Sequence, residues 1–216
     1  FLYSRCLREK ATDWIASIPP ETMQQHGIWI RRILPALIVL SLWLDGWFYP
    51  LVLLPLLYVL LVEKKSLGWL GFRTSELGRS ALLGIVTPIV SGMVYYPVFL
   101  HYIPLIQRRP IGLYDVFTDI FWYPVYEEVA YRSFALAHFA KFDESRLSTR
   151  NLLVFVSVHH HHVTSGMPLL LAPVLMLGLL NGYLFLRTRN IYGCMLSHST
   201  LNGFALLLSQ ASAAWL

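Results

Sequence analysis

LYDVFTDIFWYPVYEEVAYRSFALAHFA, residues 113–140, is the stretch on which the fold turns. It is long and apolar enough for a membrane crossing, which takes about 20 mostly apolar residues. Yet Glu127, Glu128 and Arg132 lie inside it. An ionisable side chain at bilayer depth costs roughly 2.5 kcal/mol or more, so each one calls for a buried partner or a function. Glu128 and Arg132 are four residues apart with the acid nearer the N-terminus, the favourable order for a pair on one helix face. Glu127 is rotated about 100° from Glu128 and is expected to face elsewhere.

On either side, further apolar blocks fall at 28–44, 47–62, 80–100, 151–163, 168–186 and 191–213. The first two are short, separated by Asp45-Gly46, and together too long for one crossing at about 1.5 Å per residue. They read as a tight hairpin. Seven crossings result, and charge tests the count. One face then holds the N-terminal segment, Arg31-Arg32, the 63–79 and 141–150 loops and the 187–190 turn. That face collects fourteen of the 17 Lys and Arg; the other has Arg108 and Arg109, and Arg132 lies within a span. Such a bias places the first face in the cytosol. Merging the first two blocks would scatter the charge over both sides.

Composition agrees. Of 216 residues, 56% are hydrophobic and 13% charged, with a mean hydropathy of +0.55. Soluble domains carry about 25% charged residues, so half the usual polar cover is missing. Helices are the expected way across, because lipid offers backbone groups no other partner outside a closed barrel. The net charge of +5 sits at the ends of apolar segments, which speaks for orientation in a membrane and against nucleic acid. Cys6 and Cys194 cannot make a disulfide framework, and Cys194 reads as a small buried side chain. The sequence opens on Phe1 rather than Met, as a truncated or processed chain does, and shows no cleavable signal peptide. Residues 1–18 place Tyr3, Leu7, Ala11, Trp14 and Ile18 at helical spacing beside Arg5, Arg8 and Lys10. That pattern is an amphipathic helix lying in the interface. The expected organisation is an N-terminal interfacial segment, 1–27, and a transmembrane domain, 28–216. The class is an all-α, polytopic bundle without repeat or linker, in a prokaryotic cell membrane or the endoplasmic reticulum membrane.

Polar residues recur in two later blocks. Phe155 precedes His159 by four residues, and His159 opens the run His159–His162; His198 and Asn202 share a face at i,i+4. Measured from Arg150 and Arg189 as cytosolic anchors, His159 and His198 each lie nine residues in, about 13 Å at the helical rise. A carboxylate, two imidazoles and an amide can therefore meet at one level. Taken singly, each has a plainer reading. Glu128 with Arg132 is a structural pair, His138 an interhelical hydrogen bond, Phe155 packing and Asn202 interhelical glue. Successive histidines point about 100° apart, so His160–His162 cannot all face one cavity. Together the set suits peptide hydrolysis. A Glu in a low-dielectric cleft can act as general base, and His and Asn can donate to a tetrahedral oxyanion. No Ser or Cys has a partner arrangement and no H-E-x-x-H occurs, so direct attack by water is expected.

The stretches Glu127-Glu128-Val-Ala-Tyr-Arg132, Phe155-x-x-x-His159 and His198-x-x-x-Asn202 resemble the three motifs of the CPBP family. That family includes the Rce1-type CAAX prenyl endopeptidases and the Abi-like membrane proteases. The His-rich second motif is similar to that of the eukaryotic and archaeal Rce1 branch. The resemblance implies Glu127 as general base, His159 positioning the water, and His198 and Asn202 stabilising the oxyanion. Glu128 and Arg132 would brace the site. It implies as substrate a peptide or lipidated protein held in membrane lipid, a prenylated end being one option, and the depth of His159 and His198 puts the expected cut near the cytosolic leaflet. No metal is expected, since Asn is a poor zinc ligand, although a zinc-dependent form of the same peptidase stays open. A carrier or silent scaffold is the other alternative; carriers show repeated halves, and none is found here.

Overall fold

A computed structural model of the 216-residue chain describes residues 33–41, 53–102, 111–139, 169 and 171–214. The chain divides into two compact units, Phe1–Ile38 and Val39–Leu216. Helical residues 33–38 belong to the first, and the elements that carry the site belong to the second. All regular structure among the described residues is helical, as expected.

Among the described residues, the second unit has the longer helices α1 (Leu53–Val62), α2 (Leu77–Tyr102), α3 (residues 113–139), α4 (Leu171–Thr188) and α5 (Tyr192–Ala214), with a short turn of helix at Leu67–Leu70. Among the described residues, Leu77–His101 and Leu171–Thr188 are long and apolar enough to cross a membrane, and Leu53–Val62 is apolar but shorter. Helix α3 falls short of that measure because it carries Asp115, Asp119, Glu127, Glu128 and Arg132. Polar Ser197, His198, Ser199, Thr200 and Asn202 dilute the hydropathy of α5. The blocks at 1–18 and 151–163 and the Asp45-Gly46 turn lie outside the described residues.

Large apolar side chains lie exposed on the unit while the charged pair of α3 lies buried. Met93 and Leu207 are each 72% exposed, while Glu128 and Arg132 are 0% and 2% exposed. Water rewards the opposite distribution; lipid, as apolar as leucine, does not penalise this one. Small residues let α2 and α5 approach closely, since a Cβ on Gly84 would meet the Gly193 carbonyl and one on Gly193 would meet Ser80. The Ser80 hydroxyl accepts from the Gly193 N–H at 3.1 Å and donates to the Asn190 carbonyl at 3.3 Å.

One end of the unit is closed by a lock between two loops. Gly71 takes φ +89°, a left-handed conformation suited to glycine, and its carbonyl accepts from the Ile191 N–H at 3.1 Å. The Asn190 amide donates to the Arg73 and Ser75 carbonyls at 2.6 and 3.0 Å, and Arg73 returns a bond to the Thr188 carbonyl at 3.0 Å. The 63–79 and 187–190 loops thus share one end, the relation that the charge pattern asks of them. The last turn of α3 joins that end. There the Ser133 hydroxyl donates to the Leu70 carbonyl, and buried His138 packs against Tyr58, Trp69 and Phe134. Its visible role is ring packing across elements.

Candidate active site

Helix α3 is not uniform. Its turns widen to i→i+5 bonding over Phe117–Trp122 and again over Glu128–Ala135, a winding found often at functional sites. Between the wide turns stands Pro124. The Tyr123 N–H bonds the Thr118 carbonyl, and the next donor in that pattern would come from residue 124, which as proline has none. The Asp119 carbonyl is therefore left for another helix to satisfy, and the Asn202 side chain of α5 donates to it at 2.8 Å. Rescue of a proline-freed carbonyl by a neighbouring side chain is how such helices persist in lipid.

Further along α3, Glu128 is fully buried against α4 and α5. Its Oε1 accepts from His198 Nδ1 at 2.9 Å and from Asn181 Nδ2 at 3.1 Å. Arg132 Nε stands 3.5 Å from Oε2, so the i,i+4 pairing is present. Glu127 Oε2 lies 3.8 Å from the other ring nitrogen of His198, Nε2. The two carboxylates thus converge on one imidazole. This corrects the expectation that Glu127 faces elsewhere: the ring's nitrogens point away from each other, so acids about 100° apart on one helix can straddle it. An ionised carboxylate only accepts, which puts the His198 proton facing Glu128 on Nδ1 and leaves Nε2 to face Glu127. A gap of 3.8 Å is too long for a direct hydrogen bond.

Of the residues singled out in the sequence, the structure brings Glu127, Glu128, Arg132 and His198 together. Asn202 is one helical turn from His198 and half-buried, with its amide turned to Asp119. His159, its run to His162 and Phe155 lie outside the described residues. Among the described residues, no three His, Cys, Asp or Glu side chains are grouped to hold a metal. Sequence reasoning missed Asn181, fully buried in α4. Its signal was an amide inside an apolar block, the same signal that flagged Asn202. Cys194 is a buried side chain as expected, its thiol donating to the Asn181 carbonyl at 3.3 Å. An apolar groove of about 380 Å³ runs between α2 and α5, lined by Ile89, Gly92 and Met93 on one side and Thr200, Leu201 and Phe204 on the other.

Glu127, Glu128, Arg132, Asn181, His198 and Asn202 all fall within residues 109–204. That stretch matches the family model described as type II CAAX prenyl endopeptidase Rce1-like. Over this stretch the chain is similar to the Rce1-like family. Comparison with curated proteins and with solved structures returned no match. The Rce1-like stretch begins just before α3 and ends in α5, so it holds both wide turns, the Glu128–His198 contact and the Asn202–Asp119 tie. Helices α1 and α2 lie before it.

Proposed function

We propose that this chain is an intramembrane endopeptidase of the Rce1 type, cutting a membrane-anchored peptide by water that Glu127 activates. The observation that carries the reading is the pair of adjacent carboxylates straddling His198 in a buried, polar interior. His159 positions the water, Glu127 passes the proton it takes from that water to His198 Nε2, the imidazolium so formed and Asn202 donate to the developing oxyanion, and Glu128 and Arg132 hold His198 from behind. The seven-crossing topology with an N-terminal interfacial helix belongs to the same proposal, supported by the exposed apolar side chains and the two loops at one end. So does the cytosolic-side cut. The groove between α2 and α5 gives apolar space along the helix that carries His198 and Asn202, which a prenylated substrate needs and a free peptide does not.

The test is cleavage of a farnesylated peptide by purified protein in liposomes. Glu127→Gln keeps shape and removes the base. A positioned general base contributes about 10²–10⁴-fold, so activity should fall at least about a hundredfold, with His198→Ala behaving alike. Full activity in either folded variant would sink the assignment. Loss on chelation that zinc restores would replace the metal-free route with the zinc-dependent one.

A further inference from the structure

We propose that Asn181 is a positioning residue for this site, holding the Glu128 carboxylate so that His198 Nε2 stays turned toward Glu127. The proposal rests on the peptidase reading and adds to it a residue from a helix that none of the three motifs touches. Asn181 is 0% exposed and its Nδ2 reaches two acceptors, Glu128 Oε1 at 3.1 Å and the Cys194 carbonyl at 3.3 Å. An amide nitrogen has two hydrogens, so both are committed. Its Oδ1 is buried with no hydrogen-bond partner among the described residues. A flipped amide would set that oxygen against a carboxylate, so the donors fix the orientation and the acceptor goes unsatisfied. Buried amides rarely leave an atom unpaired; here the arrangement favours Glu128 over the amide's own satisfaction.

Holding is needed because Glu128 has a competing partner. Arg132 Nε stands 3.5 Å from Oε2, long for a hydrogen bond. A guanidinium takes a carboxylate best through two parallel bonds, and the terminal torsion of Glu is soft. Released from Asn181, Glu128 can rotate both oxygens onto Arg132 and withdraw Oε1 from His198 Nδ1. The imidazole then loses the contact that sets its proton and its angle. Anchoring through Cys194 suits this role, since the residue four positions on from Cys194 is His198. One amide thus references the carboxylate to the same helical turn that presents the ring.

The experiment uses full-length protein in liposomes and the farnesylated peptide. Asn181→Ala should lower kcat at least tenfold while KM stays within twofold. Adding Arg132→Lys, whose ammonium is a point charge that cannot grip a carboxylate through two parallel bonds, should recover at least threefold of the lost kcat. A packing role alone gives no such rescue. If Asn181→Ala does not stay monodisperse in detergent, Asn181→Ser replaces it. Unchanged kcat, absent rescue, or failure of both variants to fold would overturn the proposal and leave Asn181 as a tie between α4 and α5. Inactivity of the wild type sinks the peptidase reading itself, whereas an active wild type with a fully active Asn181→Ala sinks the positioning role alone.

Discussion

Replacing Asn202 with alanine removes the donor that satisfies Asp119, and Pro124 sets the size of the effect. The bond is 2.8 Å long and half-buried at its Asn end. No backbone N–H can take its place, because Tyr123 bonds Thr118 and residue 124 is proline. A buried carbonyl stripped of its partner costs about 1–3 kcal/mol, and this one is half-buried, so Asn202→Ala should lower the unfolding free energy by about 1 kcal/mol, the low end of that range. Pro124→Ala supplies an N–H at the i+5 position. In the wild-type background it meets a carbonyl already bonded by Asn202; beside Asn202→Ala it meets one that has lost that donor. The two substitutions should therefore be non-additive by roughly 1 kcal/mol, with the double variant close to Pro124→Ala alone. Denaturant titration in detergent, monitored by tryptophan fluorescence, reads all four corners of the cycle. Additivity within about 0.5 kcal/mol, the tolerance of independent sites, would refute the reasoning. Cleavage by the refolded double variant separates the two claims on Asn202. If stability returns and activity does not, the amide also serves the oxyanion.

Three further outcomes are expected. Gly193→Ala drives a Cβ into Ser80 and should destabilise by about 1–3 kcal/mol, measured by the same titration; a neutral result would refute the close α2–α5 approach. Gly92 lines the groove and has nothing within 4 Å of where a Cβ would go. Gly92→Phe should then leave the fold intact while raising KM severalfold for a farnesylated peptide and not for an unprenylated one; equal effects on both would remove the groove from substrate binding. Burial pushes the Glu63 carboxyl up, but Lys65, His138 and the Tyr58 hydroxyl outweigh it and hold the group below its ordinary value of 4.5. A depressed folded value means the stabilisation is present above 4.5 and fades as pH falls through the folded value. Glu63→Gln should thus be less stable than wild type by under about 1 kcal/mol at neutral pH, and the difference should vanish in acid, below the folded value; a gap that widens there would reverse the sign.

Much of this site was written in spacing. Glu128 and Arg132 at i,i+4, and His198 with Asn202 one turn beyond, define faces that hydropathy alone places inside. The apolar block at 113–140 became the helix 113–139, and the block at 191–213 became Tyr192–Ala214. The part that was not legible depends on three dimensions. Whether Glu127 and Glu128 diverge or converge is set by a two-nitrogen ring on another helix, which no period along α3 encodes. The i→i+5 winding leaves no pattern in composition, because helix and wide turn bury nearly the same face. Pro124 was the readable clue: a proline inside an apolar helix announces a freed carbonyl, and an Asn four residues past a motif histidine is a natural donor to it.

The lock between the 71–76 loop and Asn190 also bears on when the protein becomes competent. Asn190 and His198 leave the ribosome well after Gly71, Arg73 and Glu128. A nascent chain halted before residue 190 would carry the carboxylates of α3 with neither His198 to receive them nor the clasp that closes the loop end. On the proposed function, synthesis order itself withholds the Glu128–His198 contact until α5 has been made.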